Sequence, residues 1–209
     1  MNWLDFLEKW SQEALEILSP LQKEENISSL TESELEFLTT KTLLKPPATP
    51  SQIENLENRL RKKLPPSYKD FLRTSNGWIQ LAMDAEDGIL WSTEEVDWLI
   101  KQEPELVETW HNGRDNYVSD EKYFVYGKEQ DCIDVRTEYL CSALALSPLI
   151  DSAIYLLNPQ VVTNDGEWEA WFFGNELPGA NRYPSFAQMM IAEKERVLYS
   201  LKDSCDYRY

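Results

Sequence analysis

Apolar residues recur at helical spacing at both ends of the chain and at strand spacing between them. Trp3, Leu7, Trp10, Ala14 and Leu18 fall at i, i+4, i+7, i+11 and i+15, which predicts one amphipathic helix ending before Ser19-Pro20. Residues 19–30 read as a polar connector. Thr31 with Glu34 forms a capping box, with Leu30 and Leu35 as the staple around it, and opens a short helix to about Thr42. Lys45-Pro46-Pro47-Ala48-Thr49-Pro50 breaks that helix. This marks a boundary between an N-terminal helical extension, residues 1–45, and a main domain, residues 46–209.

Thr49, Pro50 and Gln52 repeat the capping logic, and Ile53, Leu56, Leu60 and Leu64 form the stripe of the helix they start. Arg59, Arg61, Lys62 and Lys63 gather at its end, where cations complement the helix dipole. A second helix follows at once. Pro65 and Pro66 suit its first turn, Tyr68, Phe71 and Leu72 share its buried face, and Asn76-Gly77 stops it. Trp78–Met83 and Ile89–Trp91 read as two strands joined by a turn at 84–88. Ser92 with Glu95 predicts a helix cap stapled by Trp91 and Val96, and Pro104 interrupts that helix before Leu106, Val107 and Trp110. Residues 111–116 read as loop. Lys122–Tyr126 and Leu140–Leu146 are expected strands, with 127–139 unassigned. Ala153–Leu157 reads as a short strand closed by Asn158-Pro159, and Glu167–Phe173 alternates beyond the turn Asn164-Asp165-Gly166. Ser185 with Gln188 caps a last helix that buries Phe186, Met189, Met190, Val197 and Leu201. With no regular βαβ alternation, the expected class is α+β with a largely antiparallel sheet flanked by helices.

The stretch Leu64-Pro65-Pro66-Ser67-Tyr68-Lys69-Asp70-Phe71-Leu72 followed by Asn76-Gly77, with Leu60 upstream, resembles the core motif of the SUKH superfamily, the Smi/Knr type. Tyr155-Leu156-Leu157-Asn158-Pro159, Gly166-Glu167-Trp168-Glu169, and Tyr183 with Ser185-Phe186 fit the same pattern, so the likeness spans roughly residues 46 to 200. Leu64, Pro65, Tyr68, Phe71, Leu72, Asn76 and Gly77 are its structural motif. Family members usually carry a glycine just before the Leu-Pro; Lys62-Lys63 stand there in this chain. The resemblance implies a mainly antiparallel sheet flanked by helices. It also implies a protein-binding role. Many bacterial members are immunity proteins that bind and neutralise a toxin, often a nuclease, and fungal members are regulators of cell-wall synthesis and signalling.

Charge sharpens that expectation. The 209 residues carry a net −17, and residues 81–134 alone hold 15 acidic and 4 basic side chains. An acidic field opposes nucleic-acid binding and favours a basic protein partner. Acidic surfaces also serve solubility alone. Asp84, Glu86, Asp87, Glu94, Glu95 and Asp97 are the candidate contacts. No apolar run approaches the roughly 20 residues of a membrane span. The charged N-terminus and three widely spaced cysteines, Cys132, Cys141 and Cys205, fit a reduced cytoplasmic compartment.

Catalytic templates find little support. His111 is the only histidine, and the chain has no nucleophile elbow, no Cys or His pair at zinc spacing, and no phosphate-binding glycine loop, so no metal or cofactor is expected. Asp84 to Glu95 has acids at the first and twelfth positions of a calcium loop, but its glycine, Gly88, is one place early. Glu167 and Glu169 are the best acid pair, about 6.6 Å apart on one strand face. Two acids side by side on one strand do not readily flank a sugar from opposite faces, and Trp168, Ala170 and Phe172 point the other way as core, so a solvated sheet face accounts for the pair. Three readings therefore stand: a toxin-neutralising binding module, an intracellular regulatory scaffold docking through Trp3 and Trp10, and, remotely, a carboxylate hydrolase.

Overall fold

The computed structural model describes residues 1–22, 30–81, 88–113, 117–150, 152–174 and 178–206. Four helices come first: α1 (Trp3–Leu18), α2 (Glu32–Thr40), α3 (Pro50–Leu60) and α4 (Pro66–Thr74). Both predicted capping boxes form. Thr31 and Thr49 each accept from the backbone of the box residue, and Glu34 and Gln52 each accept back from the cap N–H. A two-stranded ribbon, β1 (Trp78–Gln80) and β2 (Gly88–Leu90), is followed by a five-stranded antiparallel sheet. Its strands are β3 (Asp97–Trp98), β4 (Leu144–Ala145), β5 (Ala153–Val162), β6 (Trp168–Gly174) and β7 (Gly179–Tyr183), and their spatial order is their chain order. Between β3 and β4 lie α5 (Leu99–Gln102), α6 (Pro104–Gly113), α7 (Asp120–Tyr123) and a 3-10 segment, Thr137–Ser142. Helix α8 (Phe186–Asp206) ends the fold. The class is α+β, as the element pattern predicts.

Both faces of the sheet are covered, and every residue of β6 is buried. Trp168, Ala170 and Phe172 face a core shared with α1, α3, α4 and α8. Trp171 and Phe173 face a second core built with Leu99, Val107, Tyr123, Val135 and Leu140 from the segment between β3 and β4. The first core places Trp3 against Phe71 and Phe186, with ring centroids 5.4 and 5.6 Å apart, and Trp10 against Trp78 at 5.2 Å. A buried carboxylate, Glu193 of α8, accepts from Tyr155 of β5 and from Arg196 at 2.6 Å, which ties the last helix to the sheet.

Several expected elements take other forms. Ser92 and Glu95 do bond, through the Ser92 N–H and hydroxyl at 3.0 and 2.8 Å, but they close a single turn. The chain then enters β3, because Trp98 and Asp97 pair with Leu144 and Ala145. Pro104 opens α6 rather than interrupting it, and α6 runs through His111 to Gly113 where a loop was expected. Lys122 and Tyr123 of the expected strand Lys122–Tyr126 instead end the turn α7, which has acids in its first turn and Ser119 at its cap position. Only Leu144–Ala145 of the stretch 140–146 is strand. Strand β5 does not close at Asn158-Pro159. It continues to Val162 through a register shift, where proline's missing N–H breaks no ladder bond.

The outer edge of β7 is also closed. Ala180 donates to the Cys132 carbonyl at 2.9 Å, and the Gln130 side chain bonds both the N–H and the carbonyl of Arg182. That loop therefore blocks strand addition at this edge.

Candidate functional site

The two glutamates singled out as an acid pair are held by different elements. Glu167 reaches the start of α4, where its carboxylate accepts from the Ser67 N–H at 2.8 Å and the Ser67 hydroxyl at 2.6 Å. Pro65 occupies the cap position and Pro66 the first turn, so α4 has no side-chain cap of its own. A carboxylate from 100 residues away supplies it. This is a role for Glu167 that local spacing does not reveal.

Glu169 is not on a solvated face. It is fully buried, and five donors converge on it. Oε2 accepts from the Tyr123 hydroxyl at 2.6 Å, Trp171 Nε1 at 2.7 Å and Asn158 Nδ2 at 2.9 Å. Oε1 accepts from the Tyr126 hydroxyl at 2.9 Å and from the buried guanidinium of Arg182 at 3.4 Å. Arg182 also donates to the Tyr123 carbonyl and lies over the Tyr123 ring at 4.2 Å. Burial first, then the neighbouring Glu169, pushes the hydroxyl pKa values of Tyr123 and Tyr126 well up, so both remain donors. With both carboxylate oxygens of Glu169 held by donors inside the protein, this set is a strut between the sheet and its second cover layer, not a reaction centre. The carboxylate-hydrolase expectation is corrected on this geometry: Glu167 and Glu169 do not face a common cleft.

The helix–stop motif is explained by what it grips. Gly77 has φ +106°, and a Cβ there would meet the Leu90 carbonyl oxygen at 2.9 Å, so only glycine fits between β1 and β2. The Asn76 side-chain oxygen accepts from the Thr93 N–H at 2.8 Å, holding the turn that follows β2. Tyr68, Phe71, Leu72 and Leu64 are buried in the first core, and Pro65 is buried beside them. The helix exit that lacks the usual glycine uses Arg61, at φ 53°, as its left-handed cap. Three basic side chains have specific partners beyond a helix dipole. Arg59 donates to the Thr93 and Val96 carbonyls, Lys63 pairs with Glu57 at 2.7 Å, and Lys62 lies over the Trp168 ring at 5.4 Å.

Of the six candidate contact acids, Asp84, Glu86 and Asp87 lie outside the described residues. The other three sit on or beside the turn before β3. Glu94 accepts from Gln52 at 2.7 Å and from Thr93 at 3.0 Å; these bonds, Gln52 foremost, lower its pKa to about 2. Glu95 bonds Ser92, and Asp97 pairs with Lys101 at 2.9 Å. The sequence's acidic stretch has a wider structural meaning. Residues 97–142 hold eleven acidic and five basic side chains, and the described parts, 97–113 and 117–142, supply the second cover layer of the sheet. Leu99, Val107, Val118, Tyr123, Val135 and Leu140 turn inward, Ile100, Tyr117, Phe124 and Ile133 are exposed, and every acidic side chain described there is exposed or half-buried. Among the described residues there is no cluster of His, Cys, Asp and Glu able to hold a metal, and no helix long and apolar enough to cross a membrane.

A sequence model of the SMI1/KNR4 family (SUKH-1) matches residues 47–191. The chain belongs to the SMI1/KNR4 (SUKH-1) family. The match covers the gripping motif, the whole five-stranded sheet and the first turn of α8. In this SUKH-1 chain the motif residues serve the core and the Asn76–Thr93 clasp. They are buried or bonded internally, which explains why they identify the fold rather than an activity. No curated protein matches the chain.

Proposed function

We propose that this SUKH-1 chain is a non-enzymatic protein-binding module of the immunity type, which neutralises a basic toxin domain such as a nuclease. The observation that carries the reading is the acidic layer over the sheet, whose described carboxylates are all exposed or half-buried. Such a face mimics nucleic-acid phosphate, occupies a basic substrate groove and raises the association rate. Asp84, Glu86, Asp87, Glu94, Glu95 and Asp97 are its proposed contacts, and cytoplasmic residence fits the role. The regulatory-scaffold alternative relied on Trp3 and Trp10 as docking side chains; both are buried in the core and offer no surface.

The test is capture by the tagged protein from extracts of its own cells, washed at low and high salt. Any recovered basic nuclease domain is then assayed with and without equimolar chain. Inhibition that weakens at high salt supports the reading. Full nuclease activity in the presence of bound chain overturns it, and a salt-resistant envelope or signalling protein as the sole captured species replaces it with the scaffold.

A further inference from the structure

We infer that the surface around Tyr117 and Phe124 is the anchor point for the basic partner, with the two rings receiving its cationic side chains; this rests on the protein-binding reading above. Tyr117 is 86% exposed and Phe124 47% exposed, in a chain whose other large side chains mostly fill the two cores. Neither aromatic is loosely placed. Arg136 donates to the Val118 carbonyl from Nε at 3.1 Å and from Nη2 at 2.9 Å, so the backbone beside Tyr117 is pinned. The same guanidinium pairs with Asp120, donates to the Tyr139 hydroxyl at 3.1 Å and lies 4.5 Å from the Tyr123 ring. Phe124 stands edge-on to Tyr123 at 5.2 Å, and Tyr123 is fixed below by Glu169. Exposed rings on an ordered base lose little freedom on binding, which is the anatomy of a binding hot spot.

Charge selects the occupant. Asp120, Glu121 and Glu138 are exposed around the rings, and Lys122 is the single cation of α7. The charge of Arg136 is already engaged by Asp120 and by carbonyl oxygen. An arriving arginine or lysine meets an exposed ring and exposed carboxylates together, each favourable to a cation. An anionic partner meets repulsion.

The probe is a short synthetic peptide alternating arginine with leucine, titrated into the full isotope-labelled chain and followed by amide NMR shifts. Shifts are expected to centre on 117–124 and 136–139. Tyr117→Ala with Phe124→Ala should weaken binding about tenfold at an unchanged thermal midpoint. Glu121→Gln with Glu138→Gln should weaken it and flatten its salt dependence. Shifts centred on Glu94 to Asp97, with the aromatic double variant binding as tightly as the parent, overturn the anchor while the protein-binding reading stands. Absence of any shift overturns the anchor too, and the nuclease-inhibition assay judges the wider reading separately.

Discussion

Replacing Glu169 by glutamine tests the buried network most directly. The substitution keeps the shape and removes one charge and one acceptor. All five groups around the carboxylate donate to it, so the new amide must point its NH2 at donors whichever way it is turned. Placed on the Oε1 side, the NH2 meets the Tyr126 hydroxyl, which can rotate and accept, but Arg182 is left without its counter-charge. Arg182 is fully buried, and its Nε already lacks a partner among the described residues. Breaking a buried ion pair by removing one member costs about 3–5 kcal/mol. For a chain of this size that lowers the thermal midpoint by roughly 10 °C. Urea unfolding should show the same loss as a lower midpoint with unchanged slope. Glu169→Gln combined with Arg182→Gln should cost clearly less than the two single losses added together. A Glu169→Gln change below about 0.5 kcal/mol, the range of ordinary surface substitutions, refutes the buried-strut account and restores Glu169 to a solvated face.

Tyr68 carries a buried hydroxyl with no hydrogen-bond partner among the described residues, so Tyr68→Phe should raise stability by about 1 kcal/mol in urea unfolding at neutral pH. Burial raises the pKa of Tyr68, Tyr123, Tyr126 and Tyr155, and that of Tyr183 to about 12. Their contribution is complete below the unfolded tyrosine value of about 10 and is lost as pH rises beyond it, by up to about 1.4 kcal/mol per pH unit for each fully buried hydroxyl. Urea midpoints should therefore fall steeply above about pH 10, and less steeply for Tyr68→Phe. Glu94 has the opposite sign: its bonds stabilise the fold above the unfolded glutamate pKa and are lost as pH falls through about 2, and Gln52→Ala should move its NMR titration upward. Gly77→Ala should cost about 2–3 kcal/mol in the same unfolding assay, from strain at positive φ and the close Leu90 carbonyl. Deleting residues 1–45 removes Trp3, Leu7 and Trp10 from the core, so circular dichroism should show an unfolded chain rather than a soluble remainder.

The sequence by itself determined the helices at the two ends of the chain, α1 to α4 and α8, and their starts. The two Thr capping boxes, the Trp3–Leu18 stripe and the Leu64–Gly77 motif are local patterns, and a capping bond or an i, i+4 contact needs only neighbouring residues. It also determined the family and the acidic excess of residues 81–134, because both are properties of residue order. What it misplaced depends on distant partners. Glu167 and Glu169 read as solvent-facing by alternation, but alternation separates two faces without saying that both are covered. The second cover layer is built from short turns at 97–142 whose apolar residues have no clean period, so nothing local announces it. The Ser92–Glu95 bond is present as read, yet pairing with β4 decided that the chain leaves as a strand. Asn158-Pro159 looked like a strand end, whereas a register shift opposite β6 lets the strand pass through it. Only the tertiary structure brought Tyr123, Tyr126, Asn158, Glu169, Trp171 and Arg182 to one buried point, since most of the bonds there join groups on different elements, up to 59 residues apart in the chain.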